Sequence, residues 1–278
     1  MSVLVTKADG TTEEFVEDKL RRSLRRAGAG REDIQDVVEH INAILRDGIK
    51  TQEIYSKAFE HLRNIEQPSA ARYSLRRALF SLGPTGFPFE DFLAKLFAAE
   101  GYQTQTRMKI NGRCVEHEID VAAFNKDQSF VAEAKFHSRP GIKSDLQVVM
   151  YSYARKLDLE GKRSCPGDQC GISEFMIVTN TKFTHTAEHY AECVGLTLLS
   201  WDYPKDNNLH DRIQNARVYP ISVLSNLSLA QKRALIQRGV IICRDIIDKP
   251  HVLRHAHLST KKTEAVLSEA RQLCTGQE

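Results

Sequence analysis

No run of about 18 apolar residues occurs in the 278-residue sequence, so no stretch reads as a membrane-spanning helix. The opening MSVLVTKADG lacks the apolar core of a secretory signal, and the expectation is a cytoplasmic protein with no membrane partner. Cysteine is sparse and scattered: the six residues at 114, 165, 170, 193, 243 and 274 suit reduced thiols better than a disulfide framework. Only Cys165 and Cys170 lie close together, in SCPGDQCG, and two further ligands at suitable spacing are missing, which argues against a structural zinc site. The net charge of +3 is too small to indicate nucleic-acid binding alone.

The proportions that are present, 41% hydrophobic and 27% charged, are those of ordinary globular protein, and the length suits two domains or slightly more. The first segment reads as a hairpin over 4–15, turning at Asp9-Gly10, and then four helices. These are expected at about 17–27, at about 31–46, from Thr51 onward, and at about 69–82, each with apolar residues at helical spacing. A small, mostly helical domain is expected over 1–83.

Separated anchors in this segment carry a resemblance: Val5-Thr6-Lys7, Asp9-Gly10, Phe15, Lys19-Leu20, Asp47-Gly48-Ile49-Lys50-Thr51 and Ile54-Tyr55. Together they resemble the ATP-cone, a nucleotide-sensing module of ribonucleotide reductases and of a bacterial transcriptional regulator. The resemblance implies ATP or dATP as effector, with Lys7 and Lys19 contacting the triphosphate and Glu13 and Thr51 lining the site. Lysines near a helix N-terminus suit a polyphosphate. It also implies a homo-oligomer whose assembly follows nucleotide.

From 84 to 204 the pattern changes to α-β-β-β-α-β-α-β, which predicts an α/β domain with a mixed sheet flanked by helices. At its centre stand two strands, Glu118–Phe124 and Ser129–Phe136, joined by an Asn-Lys-Asp-Gln turn. Glu133 and Lys135 are two apart and project together, and a hairpin pairing puts Asp120 beside Glu133. Two carboxylates and a lysine on an apolar face are costly to bury unless they are paired or bind a cation. His117 and His137 flank the group, and Tyr151, on a helix expected over 144–159 with Leu146, Val149, Met150, Tyr153 and Leu157 inward, reads as core.

Asp120…Glu133-Ala134-Lys135 on adjacent strands, with Glu90 on the leading helix, Gly101-Tyr102 at its exit and Gln147-x-x-x-Tyr151 on the following helix, resembles the PD-(D/E)xK nucleases, nearest the Mrr-like restriction endonucleases. The resemblance implies a restriction-endonuclease-like domain that hydrolyses double-stranded DNA with Mg²⁺ or Mn²⁺. Asp120, Glu133 and the Ala134 carbonyl would hold the metal, Lys135 would serve the attacking water, Glu90 would assist, and Gln147 would position Lys135 or contact phosphate. Hard cations and phosphodiester hydrolysis suit such carboxylates.

The tail, 205–278, opens with a polar, turn-rich linker and predicts helices at 229–238 and 260–273 around a Gly239 break. From residue 231 onward nine Lys/Arg stand against five Asp/Glu. The spacing loosely resembles helix-hairpin-helix DNA contacts. Two functions follow as expectations: a metal-dependent DNA endonuclease under nucleotide control, or a nucleotide-responsive DNA-binding regulator whose nuclease fold is inactive.

Overall fold

A computed structural model describes residues 3–7, 9–163 and 171–275; the Cys165–Cys170 pair lies outside them. The chain opens with β1 (Leu4–Thr6) and β2 (Thr12–Glu14), antiparallel about the Asp9-Gly10 turn. Asp9 Oδ1 closes the turn by accepting from the Thr11 amide at 3.0 Å and its hydroxyl at 2.7 Å. Helices α1 (Glu17–Arg26) and α2 (Arg31–Ile44) follow, and β3 (Ile49–Lys50) returns parallel to β1 before α3 (Thr51–Ile65). The helix expected over 69–82 is two, α4 (Gln67–Tyr73) and α5 (Leu75–Phe80). They part at Ser74, whose hydroxyl bonds the Ala71 carbonyl at 2.8 Å instead of facing solvent. Leu24, Val37, Ile41, Ala58 and Leu62 are fully buried at the centre of this part.

The sheet part is α6 (Phe87–Ala99), β4 (Gln103–Asn111), β5 (Glu116–Phe124), β6 (Ser129–Lys135), β7 (Lys143–Ser144), α7 (Leu146–Asp158), β8 (Glu174–Thr179), β9 (Lys182–Phe183), α8 (His185–Val194) and β10 (Thr197–Leu199). Its strand order is β10-β8-β6-β5-β4. The β4–β5–β6 pairs are antiparallel and the β6–β8–β10 pairs parallel, the mixed α/β arrangement that the order of elements predicts. Phe92 and Phe97 of α6 pack with Phe130, Ala132 and Val178 on one face. Val149 of α7 and Ala187 and Ala191 of α8 pack with Val131 and Ile177 on the other. Strands β7 and β9 pair separately.

The tail contains α9 (Leu209–Ala216), a 3-10 turn at Ile221–Val223, α10 (Leu229–Ile236), α11 (Cys243–Asp248), a second 3-10 stretch at Pro250–Ala256 and α12 (Thr260–Thr275). It is folded back rather than appended. Leu75, Leu79 and Leu82 share one apolar cluster with Phe92 and Phe97 of α6 and with Leu209, Ile236 and Leu273 of the tail. Polar contacts reinforce it: Ser222 Oγ donates to the Ala78 carbonyl at 2.7 Å, and Lys95 pairs with Asp245 at 2.8 Å. Among the described residues no helix is long and apolar enough to cross a membrane.

Candidate functional site

The β5–β6 ladder runs from Phe124/Ser129 to Val121/Ala132 and stops there. Beyond that point β5 continues beside β4, while β6 continues beside β8. Asp120 on β5 and Glu133 and Lys135 on β6 flank the gap that opens. The Ala134 amide crosses it, donating to Asp120 Oδ2 at 2.7 Å. On its other side β5 is irregular too, because the β4–β5 ladder omits the Arg107/Asp120 pair. Arg107 has φ +54°, a conformation costing a residue with a Cβ on the order of 1–2 kcal/mol. Across this break β5 changes faces: Ile119 packs in the cluster with Val149 of α7, but Val121 packs in the cluster with Phe92 of α6. Asp120 stands at the switch.

The charges around it are paired except for one. Glu133, 5% exposed, meets Lys135 Nζ at 2.5 Å with one oxygen and Arg155 of α7 with the other. Arg155, itself buried, also donates to the Glu118 carbonyl. Glu90, buried in the first turn of α6, pairs with Arg107 at 3.1 Å, and Arg107 reaches Asp91 at 2.8 Å. Asp120 has no ion pair, and the Ala134 amide is its hydrogen-bond partner among the described residues. Burial, followed by repulsion from Glu133, pushes its carboxyl up to about 7; Glu90 adds to the rise, and the amide and Lys135 only partly oppose it. Burial likewise raises Glu90 despite Arg107.

Both histidines beside the site have other partners. His137 is held by Asn180 through its amide at 2.9 Å and its carbonyl at 2.8 Å, and its ring meets Ser144 Oγ at 3.2 Å. Burial, then the nearby Lys135 charge, lowers its pKa. His117 bonds Asp158 at 2.8 Å, and Asp158 also accepts from the Cys114 and Val115 amides. A Cβ on Gly112 would stand 2.0 Å from that carboxylate, so this turn requires glycine.

Two expectations need correction. Gln147 is exposed, and no side-chain hydrogen bond joins it to Lys135 among the described residues. Tyr151 is not core: it is 60% exposed, because α7 turns Val149, Ser152 and Arg155 inward and leaves Met150 and Leu157 out. The Ala134 amide bonds Asp120, a contact in which its carbonyl, the part expected to hold the metal, takes no part. Sequence reasoning missed both arginines, Arg155 and Arg107. Arg155 lies four residues beyond Tyr151 and eight beyond Gln147, on one helix face, and that row was the signal available.

Among the described residues no three His, Cys, Asp or Glu side chains form a ready cage for a metal ion. The chemistry of the pair at the gap nonetheless fits a hard cation. Asp120 is an uncompensated carboxylate beside another, and Mg²⁺ binds through one or two carboxylates while keeping waters or substrate phosphates as its remaining ligands.

In the N-terminal part, Glu13, Lys19 and Thr51 line a cavity of about 180 Å³ with Tyr55 and Tyr73 at its wall. Lys7 does not line it but pairs with Glu13 at 2.8 Å, and Lys19 meets the same carboxylate at 3.2 Å, so two cations gather at one edge. Tyr55 and Tyr73 stack at 5.0 Å, and the buried Tyr55 hydroxyl has no hydrogen-bond partner among the described residues. The volume is below the ~300 Å³ of common ligand pockets.

The ATP cone domain family matches residues 3–79, and the family described as AF1548-like, C-terminal, matches residues 219–274. An uncharacterised protein of Archaeoglobus fulgidus is 35% identical over 182 residues, which cover 65% of this chain and 99% of that protein. The crystal structure of AF1548, a protein of unknown function, superposes with a TM-score of 0.55 at 33% identity, covering 69% of this chain and all of that one. The chain therefore belongs to the AF1548-like family and carries an ATP cone domain at its N-terminal part.

Proposed function

We propose that the protein is a divalent-cation-dependent endonuclease acting on double-stranded DNA, and that its ATP cone answers to ATP or dATP. The observation that carries this reading is the gap between β5 and β6, where Asp120, Glu133 and Lys135 converge where the β5–β6 ladder ends. Asp120 and Glu133 are the residues to hold Mg²⁺ or Mn²⁺. Bound there, the cation would supply electrostatic stabilisation of charge developing on the phosphate. Lys135, less buried than its partner, leaves Glu133 to orient the attacking water and to offset negative charge at phosphorus. Glu90 keeps a third carboxylate at the edge, released when Arg107 turns to a phosphate. The exposed Gln147 is free to contact the DNA backbone.

The test is nicking of supercoiled plasmid with Mg²⁺ or Mn²⁺. Wild type should nick it, EDTA should stop it, and Asp120→Ala and Lys135→Ala should lose activity by at least about 10²-fold, the scale on which single transition-state contacts act. Nicking unchanged by Asp120→Ala would remove this assignment. One observation favours a second reading, a nucleotide-responsive DNA-binding regulator: both oxygens of Glu133 are already occupied, by Lys135 and Arg155. That protein would shift a DNA band in EDTA and respond to nucleotide, yet leave the plasmid intact with either metal.

A further inference from the structure

Arg155 is buried on α7 and its guanidinium has two partners on two different strands. One Nη donates to the Glu133 carboxylate of β6, and the other to the Glu118 carbonyl of β5. These strands no longer pair with each other at this level, because their ladder ended at Val121/Ala132. Beside the hydrogen bond from the Ala134 amide to Asp120, the arginine thus supplies a second bridge where backbone ladder bonds have ended. Its Nε meets no acceptor among the described residues, and the exposed Tyr151 ring lies 5.8 Å from the guanidinium centre. The two hydrogen bonds, with the Tyr151 ring beside them, therefore orient the group. A planar fork can hold both at once; a lysine ammonium at the same place is a point charge on a flexible stem.

We infer that Arg155 is the positioning residue that sets the separation of Asp120 and Glu133 by tying β5 to β6 where their pairing ends. It touches neither DNA nor cation. It also keeps Glu133 aimed when Lys135 leaves, so that the carboxylate stays in place as a ligand. This rests on the proposed cation site, and it is tested by Mn²⁺ binding to the full-length protein without DNA.

Calorimetric Mn²⁺ affinity should fall about tenfold to a hundredfold in both Arg155→Lys and Arg155→Met, the usual cost of losing a partner that orients a ligand. Far-UV circular dichroism and the unfolding midpoint check that each variant is folded; Arg155→Lys, which keeps the charge, serves if Arg155→Met does not fold. In a Glu133→Gln background Arg155→Lys should cause little further loss, since its effect runs through Glu133. An equal loss in both backgrounds, or wild-type affinity in a folded Arg155→Lys, overturns the inference while leaving an Asp120-dependent Mn²⁺ site standing. Wild type that binds Mn²⁺ but never nicks DNA defeats the nuclease reading and leaves the role of Arg155 intact. Wild type that binds no Mn²⁺ overturns both.

Discussion

Asp120 is where the site's electrostatics can be read in solution. Its folded carboxyl titrates at about 7, against roughly 4 in an unfolded chain. Between those values the folded protein retains a proton that the unfolded chain has released. Its contribution to stability is full below the unfolded value and is lost as pH rises through the folded one. An asparagine at 120 has no proton to lose. In EDTA, the Asp120→Asn variant should therefore gain in melting temperature relative to wild type between about pH 5 and about pH 8, and Mg²⁺ at the higher pH should raise wild type but not the variant. Parallel pH curves for the two proteins would contradict the burial and repulsion assigned to this group. The residues of this site were only partly legible in advance. Period-two alternation brought Glu133 and Lys135 together and set Asp120 opposite, because strand geometry is local. The face switch between Ile119 and Val121 was not, since it depends on the left-handed backbone of Arg107 in a neighbouring strand. Arg155 was hidden for another reason: a charged residue on a helix reads as solvated until its buried carboxylate partner is known.

At the level of elements, α2, α3, α6 and α7 were readable to within a few residues because each spans several turns of consistent apolar spacing. Strands β3, β7 and β9 were not, as two residues carry no period. Helix α9 was missed because its sequence is mostly polar; Asn208 caps it by accepting from the Asp211 amide, and its inward residues are Leu209, His210 and Ile213. Part of the tail's basic character lies near His255. Burial, then the charges of Arg238, Arg254, His257 and His251, depress the pKa of His255. Arg238, Arg254 and His257 are exposed and form no ion pair among the described residues, whereas Lys7, Lys19, Arg21 and Arg46 of the cone are all paired. Such unpaired cations suit phosphates that release counterions. Replacing Arg238 and Arg254 together by alanine should weaken DNA binding uniformly across sequences and reduce the slope of log affinity against log salt by about 2. An unchanged slope would leave these residues as solvated surface.

At the scale of the whole molecule, the consequential feature is the shared core. Leu75, Leu79 and Leu82, just after the helices that frame the tyrosine-lined cavity, are buried together with α6 and the tail. Arg77 of α5 lies over the Tyr55 ring at 4.4 Å, so the wall of that cavity is joined directly to the helix that enters the common core. Glu90 stands on α6, the next helix of the same cluster. Packing thus continues from the cone to the helix that carries Glu90, which offers the nucleotide response of an ATP cone a physical route. The consequence is measurable without knowing the reaction. The chain should unfold in one transition, not as a cone followed by a sheet domain, and ATP should move that whole transition upward. At a hundredfold excess over Kd the stabilisation is about 2.7 kcal/mol, worth several degrees for a chain of this size. Lys7→Ala and Lys19→Ala should weaken ATP binding and shrink that shift while leaving the nucleotide-free transition nearly in place, because surface ion pairs such as theirs with Glu13 contribute little to stability. Two separate transitions, with ATP moving only the first, would show that the common core does not couple the cone to the sheet.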